Sequence, residues 1–128
     1  MEYFISKNVN GEFEAVVERV KESLKNIGFG VITTIDMQSA LKEKINEDIK
    51  PYTILGACSP HFASKAMRLE DKIGVLLPCN VVIIDQGNNN IEVAAMEPHG
   101  IIELIGNEQL SVLASDISKR LISMMEAF

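Results

Sequence analysis

Apolar and polar positions divide the chain into alternating extended and helical stretches. Residues 2–9 open with Tyr3-Phe4-Ile5-Ser6, aromatic and β-branched enough to predict a strand. Asn10-Gly11 ends it, and Asn10 is the expected N-cap of the next helix. Phe13, Val16, Val17, Val20, Leu24 and Ile27 follow the i, i+3, i+4, i+7 spacing of an amphipathic helix. Glu12 and Glu14 suit the positive end of its dipole, Lys25 suits the negative end, and Gly28 supplies the stop. Residues 29–36, with Thr33 and Thr34, predict a second strand. Met37, Leu41, Ile45 and Ile49 then recur every four residues, one face of a short helix that Pro51 terminates.

Residues 52–85 are the most apolar part of the chain and are expected at the centre of the sheet. Residues 52–58 predict a third strand. Ser59-Pro60 reads as an N-cap followed by proline at the first helical position. Phe62, Ala66 and Leu69 share one side of the helix after it, with Ala63 and Met67 beside them. Residues 73–85 predict a long fourth strand containing Pro78, which lacks a ladder donor and is expected at a bulge or an edge. The polar run 86–90 is a hairpin turn, and residues 91–96 return as a fifth strand. Glu97-Pro98-His99-Gly100 breaks that strand, and residues 101–106 carry no clear pattern. Asn107 caps a last helix whose buried face is Leu110, Leu113, Ile117, Leu121, Met124 and Phe128, with Lys119 and Arg120 toward its C-terminal half.

The element order predicts an α+β fold: an antiparallel sheet of about five strands, two long helices on one face, and short helical inserts. Ile54-Leu55, Val75-Leu76-Leu77 and residues 81–84 are apolar at consecutive positions, the mark of strands buried on both faces. The long helices cover only one face. The inserts or a second subunit must cover the other, and a homodimer through that face is expected.

Composition narrows the function classes. The 128 residues fit one domain, residues 1–128, and 47% hydrophobic with 23% charged residues is ordinary for a globular protein. A net charge of −6 and no basic stripe argue against nucleic acid and against an anionic membrane surface. Lys42, Lys44 and Lys50 are interleaved with Glu43, Glu47 and Asp48, a solvated face. No apolar window approaches the ~20 residues of a membrane span, and no basic region precedes an apolar run at the start. A cytoplasmic location is expected, where thiols stay reduced.

Candidate chemistry gathers around two cysteines and two histidines. Cys58 and Cys79 belong to no C-x-x-C motif. Cys58 precedes a helix N-terminus, where thiolates are stabilised, yet small buried cysteines are the commoner case. His61 and His99 each follow a proline, and with Cys58 and Cys79 they could form an S₂N₂ zinc or copper site, although the spacing fits no standard metal module. Asn80 is a polar residue in an apolar strand and either bonds backbone or orients a ligand. Cys58, His61, Cys79 and Asn80 are therefore the candidate ligand-binding set. Glu97 and His99 could act as an acid–base pair, but no triad arrangement accompanies them and no catalytic motif is recognised. Gly28-Phe29-Gly30 precedes a strand rather than a helix, so no phosphate-cradling loop supports ATP or dinucleotide binding.

The segments ILGACSP, IGVLLPCNVVI and VAAMEPHGI resemble the bacterial and archaeal family catalogued as domain of unknown function 302, over nearly the whole chain. Ser59 stands where the family has asparagine and Glu97 where it has aspartate before proline. The resemblance implies a TBP-like α+β fold, β-α-β(4)-α with a curved antiparallel sheet, often seen as dimers. It implies no activity. The expected function is a small dimeric binding or accessory module with a ligand site near the two cysteines. The alternative is a thiol-based redox or metal-handling protein using Cys58 and Cys79, followed by a hydrolase using Glu97 and His99.

Overall fold

A computed structural model describes residues 3–128, so the predicted start of the first strand at Glu2 lies outside the described residues. The strands are β1 (Phe4–Asn10), β2 (Gly30–Asp36), β3 (Tyr52–Cys58), β4 (Cys79–Asp85) and β5 (Asn90–Met96). The helices are α1 (Phe13–Asn26), α2 (Met37–Ile45), α3 (Pro60–Leu69), α4 (Pro98–Glu103) and α5 (Glu108–Ala127). The strands form one sheet in the order β1-β5-β4-β3-β2, with every neighbouring pair antiparallel. β1 and β2 thus run the same way at opposite edges, and α1 must cross the sheet to join them. β4 is the central strand and β3 flanks it, as the apolar content of residues 52–85 predicts.

Strand alternation sorts the sheet into two faces. Leu55, Ala57, Cys79, Val81, Ile83, Ile91, Val93 and Ala95 point to one of them and are buried. Val16, Val17, Val20 and Leu24 of α1 and Ile117, Leu121, Met124 and Met125 of α5 pack there, in one core. The predicted α+β layering therefore holds. Asn107 caps α5 by accepting from the Gln109 and Leu110 N–H groups. Lys7 fixes the other end of α5, donating to the backbone oxygens of Glu126 at 3.2 Å and Phe128 at 2.6 Å. A cation there complements the negative end of the helix dipole.

Several expectations need correction. The cap of α1 is Glu12, whose carboxylate accepts from the Glu14 and Ala15 N–H groups; Asn10 remains in β1. α2 ends at Ile45, because Asn46 takes a left-handed conformation (φ 55°), and Ile45 is 63% exposed. The predicted long fourth strand begins only at Cys79, since residues Asp71–Leu76 form a 3-10 turn. Pro78 stands just ahead of this central strand, and the sheet's irregularity lies in β2 between Val31 and Thr33. Finally, Pro98–Glu103 is helical, where the sequence pattern shows only a break.

The 3-10 turn accounts for the apolar run at residues 73–77. Ile73 is buried with Ala66, Ile102, Leu110 and Ala114 in a second small core beneath α3, α4 and α5, and Leu76 and Leu77 pack against it. That run is not a strand buried on both faces. Met67, expected beside the packed side of α3, is instead exposed.

Candidate functional site

The second face of the sheet has no long helix over it. Its residues follow from the register. One row runs Ile35, Ile54, Val82, Ala94, Ser6, and the next runs Tyr52, Ile84, Glu92, Asn8. A third contains Thr33, Gly56 and Asn80, with Met96 opposite Phe4 at the far edge. Most of these residues are apolar. Of these, Tyr52, Val82, Ile84, Ala94 and Met96 line a groove of about 450 Å³, with Ile101 of α4 at its margin.

The groove has few polar groups. The Glu92 carboxylate accepts from Ser6 Oγ at 2.6 Å and Gln86 Nε2 at 2.8 Å, and these bonds, helped by Lys50, hold it below the usual carboxylate range. Asn80 is exposed at the groove, not buried within the strand as its neighbours suggest. Gly56 keeps the third row flat. A Cβ there would collide with Thr33 Oγ1 and lie 2.8 Å from Pro78 Cγ, so only glycine lets β2 and the Pro78 turn close over β3.

Cys79 is buried on the helix-covered face, opposite Ala57. Alternation along β3 sends Cys58 to the other face, where it is half-buried. Both thiols are free. Burial, with a smaller contribution from nearby Cys58, pushes the Cys79 thiol up to about 11. A thiol in that range is a poor nucleophile at neutral pH, because the thiolate is the reactive form.

His61 lies elsewhere, at the first turn of α3. It borders a surface cleft of about 190 Å³ together with Ser59, Lys65, Asp116 and Arg120. His99 lies in α4 beside Glu103, 3.6 Å away. The candidate ligand set is therefore split: Asn80 on the open face, His61 at the α3 cleft, and the cysteines on opposite faces. Among the described residues no group of three or more His, Cys, Asp or Glu side chains could hold a metal ion, so Cys58, His61, Cys79 and His99 do not converge.

Glu97 is committed to structure. One carboxylate oxygen accepts from the His99 N–H at 2.9 Å and caps α4; the other accepts from buried Ser118 Oγ at 2.6 Å. The hydrolase arrangement of Glu97 with His99 has no support in this geometry. Sequence reasoning missed the extent of the open groove, and Ser59, expected to cap α3, stands at the N-cap position without a side-chain capping bond. Both depend on register and on capping geometry, which no motif encodes.

Comparison with known proteins fits this architecture. No curated protein matches the chain. The crystal structure of the uncharacterized conserved protein DUF302 from Bacillus stearothermophilus is similar, with 28% identity, a TM-score of 0.89 and 98% of each chain covered. No helix among the described residues is long and apolar enough to cross a membrane. The family model described as domain of unknown function DUF302 matches residues 5–128, and the chain belongs to that family.

Proposed function

We propose that the protein is a cytoplasmic binding module that pairs with a second copy of itself through the open face of the sheet. The observation that carries this reading is the apolar continuity of that face: Ile35, Ile54, Val82, Ile84, Ala94 and Met96 on four adjacent strands. Contiguous apolar surface of this kind marks an interaction site. A second copy is the favoured occupant because the face is nearly free of charge. Its one carboxylate, Glu92, is already hydrogen-bonded within the chain. Two identical faces can then meet about a two-fold axis without opposing unpaired charges, in a chain whose net charge of −6 would otherwise resist self-association. The dimers that the family resemblance implies point the same way. Sedimentation equilibrium tests the reading: a dimer is expected at micromolar protein, and a monomer there would refute it.

Thiol chemistry at Cys58 and Cys79 is the weaker reading. The strand alternation separates the two side chains, and Cys79 is held in its protonated form.

A further inference from the structure

Alternation along β4 turns Asn80, Val82 and Ile84 to the open face, and β4 is the middle strand of the five. Of these three residues only Asn80 is polar. It is exposed, and its side chain makes no hydrogen bond among the described residues. Its neighbour on β3 is Gly56, so no side chain screens the amide on that side. Glu92 on the same face differs, because its carboxylate already accepts from Ser6 and Gln86. Apolar residues flank β4 on both sides, Ile54 and Ile35 on one and Ala94 and Met96 on the other. A two-fold axis over β4 therefore covers both flanks evenly.

Pairing of two copies through this face, the reading on which this inference rests, takes water away from the Asn80 amide. Losing those bonds opposes association unless a partner group replaces them. Two orientations stack β4 over β4. An axis along the strand sets both copies of β4 in the same direction, each open-face residue against its own counterpart. An axis across the strand reverses one copy. Val82 then still meets the partner's Val82, but Asn80 meets the partner's Ile84. In the first arrangement amide faces amide. Each offers an NH₂ donor and a carbonyl acceptor, so the two side chains satisfy one another. The second leaves both amides against isoleucine.

We propose that Asn80 sets the orientation of the dimer: its amide pairs with the partner's Asn80 across a two-fold axis along β4, and the two central strands run in the same direction. A single polar residue in an otherwise apolar contact fixes register in this way, because misaligned copies bury an unpaired amide. Val82 and Ile84 supply the attraction, and Asn80 selects among the arrangements that attraction alone would allow.

The full chain carrying Cys58→Ser, Cys79→Ala and Ile84→Cys leaves Asn80 in place and gives one thiol per copy. Sheets packed face to face lie about 10 Å apart, so a short bifunctional thiol reagent joins thiols that face each other. With native circular dichroism and a dimer by sedimentation, the same-direction arrangement yields a covalent dimer through position 84. The reversed arrangement offsets the two thiols by four residues, about 13 Å along the strand, and yields none. Adding Asn80→Val should keep the sedimenting dimer and lose much of the cross-link, because the reversed orientation then buries no amide. A dimer that does not cross-link at position 84, or a cross-link unchanged by Asn80→Val, overturns this inference and leaves the open-face dimer standing. A monomeric wild type overturns both.

Discussion

Cys79 and Gly56 show how much depends on single positions. The buried Cys79 thiol keeps its proton up to about 11, against 9.0 for an unburied thiol. Between those values the unfolded chain loses the proton and the folded chain keeps it, so stability falls as pH rises. The loss should begin near pH 9, reach at most about 3 kcal/mol, and vanish in Cys79→Ala, as read by denaturant melts across alkaline pH. Below that window a thiol reagent followed by mass spectrometry should label Cys58 well before Cys79. Equal labelling would restore the redox reading. Gly56→Ala forces a methyl group against Thr33 and Pro78. It should cost about 2 kcal/mol in a urea melt, and Thr33→Ala in the same chain should recover part of that cost. Both cysteines are plain in the sequence. Their separation onto opposite faces is not, because it follows from the pairing of Ala57 with Cys79.

At the scale of elements, periodicity carried most of the fold. The α1 pattern from Phe13 to Leu24 joined Ile117, Leu121 and Met124 of the α5 pattern in one core, while Leu110 and Leu113 of the same pattern went to the smaller core. Reading failed where an apolar run had no period. Residues 73–77 look like a strand, but a 3-10 turn delivers Ile73 into the small core under α3. Local composition cannot distinguish those outcomes, since tertiary packing decides them. The short α4 was hidden for another reason: its start depends on Glu97, a capping carboxylate outside the favoured cap set. Glu97→Ala removes the cap and strands the buried Ser118 hydroxyl. It should destabilise the fold by about 1–2 kcal/mol in thermal or urea melts. Glu97→Gln, whose carbonyl can still accept from the His99 N–H while its NH₂ donates to Ser118 Oγ, should cost less. Equal losses would show that charge rather than hydrogen bonding matters there.

At the scale of the whole molecule, the sequence pointed to a sheet needing cover on both faces, and the structure narrows that need to one face. The run at 73–77 no longer contributes. What remains is Val82 and Ile84 on the central strand, with Ile54, Ala94 and Met96 on its neighbours, half-buried beside a groove of about 450 Å³. Exposed apolar side chains also occur on the helical side, Val112 on α5 among them, but they do not form part of this sheet face. That contrast supplies the most direct measurement: the solution mass of Val82→Asp beside that of Val112→Asp, each checked for native circular dichroism. The account expects the wild type and Val112→Asp to sediment as dimers, and Val82→Asp to sediment as a folded monomer. A folded Val82→Asp that remains dimeric, or a Val112→Asp that alone dissociates, would contradict it.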